Sequence, residues 1–340
     1  MALLEELAKT VAELTASGRG ILAADESSGT IEKRLKAVGV ASTEESRRSY
    51  REMLFTTLGL AEFISGVILF EETLGQKTSA GIPMPQLLAG QGIVPGIKVD
   101  KGTVALANFP GDKATQGLDG LSDRLAGYKQ AGARFAKWRA VFAIGEGLPS
   151  RRAVEVNADS LARYAAICQE QGIVPIVEPE VLMDGGHTLE RCAEVSEDVL
   201  HMVFHALHRH RVRLEHMLLK PNMVLPGLEC PEQAAPERVA AATLACLRRT
   251  VPAAVPSINF LSGGQSDVAA TANLNAMNAW PEKQPWQLSF SYARALQAPA
   301  LKAWRGDAAN VAAAQQALYK RARLNGAARK GLYAAAMEEG

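Results

Sequence analysis

The fold class predicted is α/β: a single (β/α)8 TIM barrel, with an extra N-terminal helix and C-terminal helices packed outside. Three observations predict it. Eight short apolar runs of strand length recur along the 340 residues. Helical periodicity fills most of the gaps between them, and charged residues gather at their carboxyl ends. An open, doubly wound sheet is the alternative on pattern alone. Composition does not shift along the chain and no stretch reads as a low-complexity linker. Residues 1–340 are therefore expected to form one domain, with 334–340 as a short tail.

Leu3, Leu7, Val11 and Leu14 recur at helical spacing, and Gly18 ends that helix. The first strand is expected at Gly20 to Ala24, running straight into Asp25-Glu26. Ser42 and Glu45 have the spacing of a capping box, which predicts a helix from there to about Leu58. Further strands are expected at Ile64 to Phe70, Ile93 to Val99, Arg134 to Val141 and Ile173 to Glu178. The last three fall at Met217 to Leu219, Ser257 to Leu261 and Trp286 to Ser291. Helices are expected between them, as at Asp159 to Gln171, Leu189 to His210 and Pro236 to Arg249, and Asp307 to Arg323 reads as an outer helix.

Hydrophobic residues make up 48% of the chain and aromatics 6%, so Leu, Val, Ile and Ala must fill the core. Lys and Arg total 37 against 36 acidic residues, a balance that points to neither nucleic acid nor a membrane surface as partner. Anion binding must be local. Cys168, Cys192, Cys230 and Cys246 show no Cys-x-x-Cys spacing and read as reduced thiols of a cytoplasmic protein. Met1 to Ala16 carries Glu5, Glu6 and Glu13, unlike a secretory or transit segment, and no apolar run is long enough to cross a bilayer.

In a barrel, chemistry gathers at the carboxyl ends of the strands. Asp25 and Glu26 end the first expected strand, Glu71 the second, and Lys98, Asp100 and Lys101 the third. Lys137 and Arg139 interrupt the fourth, and Glu178 and Glu180 end the fifth. Lys220 ends the sixth, Ser262-Gly263-Gly264 follow the seventh and Arg294 the eighth. Scattered surface charge does not track strand ends in this way. Lys220 stands out, because Leu218-Leu219 precede it and Pro221 closes the strand. Apolar surroundings and a nearby cation both disfavour an ammonium, and a neutral amine can attack a carbonyl to form a Schiff base. Taken alone, the same stretch also fits a surface lysine whose stem covers the strand end.

The motifs Leu22-Ala23-Ala24-Asp25-Glu26-Ser27, Gly96-Ile97-Lys98-Val99-Asp100-Lys101-Gly102, Phe135-Ala136-Lys137-Trp138-Arg139 and Val177-Glu178-Pro179-Glu180 appear in that order. Leu218-Leu219-Lys220-Pro221-Asn222-Met223, Phe260-Leu261-Ser262-Gly263-Gly264-Gln265-Ser266 and Phe290-Ser291-Tyr292-Ala293-Arg294-Ala295-Leu296 follow. Together they resemble the class I, Schiff-base-forming fructose-bisphosphate aldolases over nearly the whole chain.

The resemblance implies reversible cleavage of fructose 1,6-bisphosphate to dihydroxyacetone phosphate and glyceraldehyde 3-phosphate. It implies Lys220 as the imine-forming lysine, Glu178 as general acid and base, and Asp25 as the base for the C4 hydroxyl. Lys137 is expected to keep Lys220 a nucleophile, or else to form an ion pair with Glu178 or Asp25. Glu180 is expected to orient, pointing opposite to Glu178 if the strand continues. Ser262, Gly263, Gly264, Ser291 and Arg294 are implied for one phosphate, with the first three starting the next helix. Arg34, Lys98 and Arg139, with Ser27 and Thr30, are implied for the second phosphate and the sugar hydroxyls. Ala293 stands where the family often has glycine, which a backbone contact tolerates unless φ must be positive. No metal and no cofactor is expected, and a homo-oligomer, a tetramer, is implied.

His201, His205 and His208 share a helical face, but no carboxylate or thiol set completes a metal site around them. His187 is expected to order its loop. Tyr333 is expected to end an outer helix in a packing role. The tail beyond it carries no phenol, and its Glu338 and Glu339, if exposed, are ionised. Protonation of the enamine is therefore expected from water or from Glu178. A second aldolase specificity, or a sugar-phosphate binder without catalysis, is the competing function. A binder needs the phosphate groups but not Lys220, Glu178 and Asp25 together.

Overall fold

Eight parallel strands close on themselves, each buried along most of its length, and helices wrap them. The structure, a computed structural model, describes residues 2–339. In chain order the elements begin with α1 (Ala2–Leu14), β1 (Gly20–Ala24), α2 (Ser28–Ala37), α3 (Glu44–Phe55), β2 (Ile64–Leu69), α4 (Glu71–Gly75), α5 (Met84–Gly90) and β3 (Val94–Lys98). Next come β4 (Thr103–Ala105), β5 (Lys113–Thr115), α6 (Leu121–Gln130), β6 (Phe135–Phe142), α7 (Arg151–Glu170), β7 (Val174–Val181), α8 (Leu189–Arg209) and β8 (Leu218–Leu219). The chain continues through α9 (Pro236–Thr250), β9 (Ser257–Phe260), α10 (Asp267–Asn278), β10 (Gln287–Tyr292), α11 (Arg294–Trp304) and α12 (Val311–Ala328).

The barrel order is β1-β10-β9-β8-β7-β6-β3-β2, which fulfils the expected closed topology. All eight expected strands are present, with ends shifted by a few residues. The hairpin of β4 and β5 was not expected: its three-residue strands are too short to show a period. Residues alternate between two cores, as strand geometry requires. Leu22, Val67, Ile97, Trp138, Val177 and Phe260 face the helices. Ile21, Ile68, Val94, Phe135, Ile176 and Leu218 fill the barrel.

The N-terminal helix does not join the outer ring. Its Leu7, Val11 and Leu14 join the barrel-interior core and cover it from the end opposite the charged residues. Arg134 ties it down through Glu13 and Thr10, and Lys129 bonds Glu6 at 2.9 Å. The space inside is tight. A Cβ on Gly96 would overlap the Phe135 ring, so this strand position has room only for glycine.

The capping box at α3 lies one residue later than expected. Thr43 Oγ1 accepts the Ser46 N–H at 3.0 Å, and Ser46 Oγ accepts the Thr43 N–H at 2.9 Å. Glu45 is instead drawn outward to Arg48 at 2.6 Å. The helix ends at Phe55 rather than near Leu58. Thr56 and Thr57 turn their hydroxyls back onto backbone carbonyls, and Gly59 takes φ +74°. Tyr333 likewise lies beyond the end of α12, in the link to a 3-10 turn at Ala335–Glu338. There it is buried, its hydroxyl 3.0 Å from Glu338 and its pKa pushed up to about 12 by burial and that bond. Glu338 is not free either: both its oxygens accept from Arg321 Nη1 at 2.7 Å.

Candidate active site

At the carboxyl ends of the strands lies a cleft of about 810 Å³. Of the fifteen positions implied by the sequence motifs, fourteen line it: Ser27, Thr30, Asp25, Arg34, Lys98, Lys137, Arg139, Glu178, Glu180, Lys220, Ser262, Gly263, Ser291 and Arg294. Gly264 does not. It turns away with φ +75°, and a Cβ there would sit 2.6 Å from Met183, so it shapes the turn.

Four side chains form a continuous charged chain across the floor. Lys137 Nζ stands 2.6 Å from Asp25 Oδ2 and 3.1 Å from Glu178 Oε2, while Glu178 Oε1 is 3.1 Å from Lys220 Nζ. Asp25, Lys137, Glu178 and Lys220 are all buried. They come from β1, β6, β7 and β8, so only barrel closure brings them together. The ion pairs expected for Lys137 are present with both carboxylates, and Lys137 stands one residue from Lys220 in that chain.

Burial works against the Lys137 ammonium, but the Asp25 and Glu178 carboxylates outweigh it and hold its pKa well above the usual lysine range. Lys137 is a fixed cation. Burial pushes the Asp25 carboxyl up, and the ammoniums of Lys137 and Lys220 outweigh that to hold it at about 2. Its folded value thus lies below the ordinary 3.8. The stability it contributes is complete above about pH 3.8 and is lost as the pH falls through about 2. In thermal melts over this window the Asp25→Asn variant should show a flatter decline than the parent. Parallel curves would mean that Asp25 contributes nothing to the acid limb.

Glu180 does not point away from Glu178. The strand continues to Val181, and residues two apart share a face, so both carboxylates enter the cleft. Glu180 pairs with Arg139 Nε, and a Cβ on Gly263 would lie 2.9 Å from its Oε1. Ser262-Gly263-Gly264 do not begin the following helix. Ser266 is the cap of α10, whose first residue is Asp267, so the cradle is a turn ahead of the helix. Arg294 opens α11 and is exposed, with no ion-pair partner among the described residues. A lone cation at a helix N-terminus is unfavourable unless an anion joins it. Ala293 sits at φ −100°, so the position needs no glycine. Ser291 Oγ is buried with no hydrogen-bond partner and belongs to the cleft wall.

Beyond β1, the strand next to β10, Ser27 caps α2 without using its side chain, leaving its hydroxyl 3.2 Å from that of Thr30. Arg34 pairs with Glu26. Lys98 Nζ bonds Asp100 Oδ1 at 2.6 Å, and Asp100 Oδ2 accepts the Arg139 N–H at 3.3 Å. Glu26 thus holds Arg34 and Asp100 holds Lys98, while the bond from Arg139 to Asp100 is made by its backbone and its guanidinium stays with Glu180. The strand-end places of Glu26 and Asp100 were visible in the sequence, but nothing there assigned them partners. Among the described residues no cluster of three His, Cys, Asp or Glu side chains is gathered as a metal requires. Nor, among the described residues, is any helix long and apolar enough to cross a membrane.

A barrel with an internal lysine bonded to a carboxylate, ringed by cations at its mouth, defines an enzyme equipped for imine chemistry on a phosphorylated carbonyl compound. Residues 6–340 match the family model described as fructose-bisphosphate aldolase class-I. A Xylella fastidiosa protein described as a probable fructose-bisphosphate aldolase class 1 is 54% identical over 96% of this chain and 98% of its own. Human fructose-bisphosphate aldolase C is 55% identical over 99% and 93% respectively. The Plasmodium falciparum fructose-bisphosphate aldolase, solved in complex with TRAP and a small-molecule inhibitor, superposes with a TM-score of 0.96 at 51% identity, covering 98% of this chain and 96% of that one. The chain belongs to the class I fructose-bisphosphate aldolase family. It is a carbon–carbon lyase of the metal-independent, Schiff-base class.

Proposed function

We propose the following division of labour for the reversible cleavage of fructose 1,6-bisphosphate. The observation that carries it is the hydrogen-bonding distance between Lys220 and Glu178, with Lys137 and Asp25 beside them. Lys220 passes its proton to Glu178, 3.1 Å away, and the amine so formed attacks C2 of the open-chain ketose. Glu178 donates the proton that lets water leave the carbinolamine, giving a protonated imine. Asp25 accepts the proton of the C4 hydroxyl, and the C3–C4 bond breaks. Its electrons pass into the imine to form an enamine, and glyceraldehyde 3-phosphate departs. A proton from water, or from Glu178 once water has reprotonated it, returns to C3, and hydrolysis releases dihydroxyacetone phosphate and the free lysine. Lys137, fixed as a cation, stabilises the carboxylates through these transfers, while Glu180 orients Arg139.

Arg294, Ser291 and the Ser262-Gly263 turn take the phosphate of the dihydroxyacetone half. Ser27, Thr30, Arg34, Lys98 and Arg139 take the second phosphate and the sugar hydroxyls. The cations on two walls of one cleft support a substrate with a phosphate at each end. Residues 1–340 act as one barrel domain in this reading. Four buried free cysteines, and an Arabidopsis thaliana relative described as cytosolic, support a cytoplasmic setting. A homotetramer completes the proposal, and light scattering on the purified protein checks it.

The testing experiment is reductive trapping. Borohydride added with dihydroxyacetone phosphate should inactivate the enzyme irreversibly and add the reduced three-carbon phosphate to the peptide containing Leu219-Lys220-Pro221. Modification of Lys137 or Lys98 instead would overturn the assignment.

A further inference from the structure

Beneath the wall that carries Arg34 lies a second guanidinium that this reaction scheme does not use. Arg51, on α3, has a side chain only 1% exposed. Its Nη2 donates to the Glu26 carbonyl oxygen at 3.0 Å and stands 3.8 Å from Glu26 Oε2. Its Nη1 stands 3.7 Å from Glu72 Oε2, but Glu72 is already held by Arg47 at 2.5 and 2.8 Å. Arg51 Nε and Nη1 therefore have no hydrogen-bond partner, and neither has Glu26 Oε2. Buried donors and acceptors left unpaired are costly, and here an orphaned oxygen faces a guanidinium with free donors.

The other oxygen of Glu26 is fully occupied. Oε1 pairs with Arg34 and accepts from Gln297 Nε2 at 2.7 Å. Gln297 is itself pinned, bonding the Ala23 carbonyl at 2.6 Å and accepting from Tyr50 at 3.0 Å. Gln297 thus holds the carboxylate by one oxygen and leaves the other toward Arg51. Glu26 is buried, with 4% of its side chain exposed, so a carboxylate here is costly unless a cation is paired with it. A phosphate that claims Arg34 removes the cation in direct contact with it and leaves only Arg51, 3.8 Å away.

We propose that Arg51 is a positioning residue for the second phosphate site: it takes over Glu26 when the phosphate draws Arg34 into the cleft. A shift of about 1 Å brings Glu26 Oε2 from 3.8 Å into charge-assisted hydrogen bonding with Arg51. Arg34 then leaves Glu26 without stranding a buried carboxylate. This lowers the cost of binding the second phosphate and has no bearing on the first.

The inference rests on the assignment of Arg34 to the second phosphate, and its test separates the two. The readout is the ratio of kcat/KM for fructose 1,6-bisphosphate to that for fructose 1-phosphate, with thermal melts alongside. Arg51→Gln should lower this ratio at least about tenfold, mainly through KM for the bisphosphate. Arg51→Lys, which keeps the charge, should recover part of the loss. In an Arg34→Ala background, Arg51→Gln should change the ratio by less than about twofold, because it acts through Arg34. If Arg51→Gln does not fold, the ratio for Arg51→Lys decides, and it should lie below that of the parent. A ratio unchanged on replacing Arg51, while Arg34→Ala still lowers it, overturns the inference alone. So does a full further loss in the double variant. If Arg34→Ala itself leaves the ratio unchanged, the phosphate assignment fails and the inference falls with it.

Discussion

Lys220→Met should abolish cleavage, lowering kcat at least about 10⁴-fold, roughly 5.5 kcal/mol of barrier. The magnitude follows from what the side chain supplies. Without an imine at C2 the electrons of the C3–C4 bond have no sink, and no neighbouring amine replaces it. Lys137 is held between Asp25 and Glu178 as a permanent cation, and Lys98 is bonded to Asp100. The fold should survive the change. Glu178 keeps Lys137 at 3.1 Å, so no carboxylate is stranded, and methionine approximates the lysine stem in a buried site. Circular dichroism and a thermal melt establish folding, and a coupled assay of triose phosphate release reads the rate. Activity within about tenfold of the parent would mean that another lysine forms the imine.

Arg294→Ala should lower kcat/KM for fructose 1,6-bisphosphate about thirty- to a thousandfold. The estimate corresponds to a charge-assisted, bidentate phosphate contact of roughly 2–4 kcal/mol. Arg294 has no ion-pair partner among the described residues and opens α11 at the cleft rim, so its removal breaks no contact within the protein that would confuse the result. Aldol addition with unphosphorylated dihydroxyacetone as donor provides the control, since it lacks the phosphate in question. There the loss should be far smaller. Equal losses with both donors would make Arg294 a support of the fold rather than a phosphate ligand.

Much of this site is legible in the sequence, and the reason is local. A parallel barrel strand announces itself by a short apolar run, and the residue that ends the run is placed at the mouth by the strand itself. Lys220, Glu178, Asp25 and Arg294 could all be found in this way. The errors were also local. Glu180 was expected to turn away from Glu178, whereas strand geometry at two residues' separation puts both on one face. Ser262-Gly263-Gly264 have the look of a helix start, but Ser266, two residues beyond Gly264, is the cap. Two adjacent hydroxyl residues, Ser42 and Thr43, made the start of α3 ambiguous by one position.

By itself, the amino-acid sequence determined that this protein is an α/β barrel, which strand ends carry its charged groups, and that one lysine among them suits imine chemistry. The strand ends follow from periodicity and from the order of residues within single strands; the closed barrel and the role of the lysine follow from the charged strand ends taken together and from the resemblance that the seven motifs carry. Only the tertiary structure decided who touches whom. The chain from Asp25 through Lys137 and Glu178 to Lys220 joins four strands, and the strands of Asp25 and Lys220 lie nearly 200 residues apart in sequence. Its distances are set by the tilt and stagger with which eight strands close, and no local pattern encodes these. The same holds for α1, whose amphipathic face says that it packs but not that it closes the barrel's end. It holds too for Arg51 and Gln297, which look in sequence like ordinary helix residues. They become part of the phosphate wall because α3 and α11 both pack against the loop that carries Glu26.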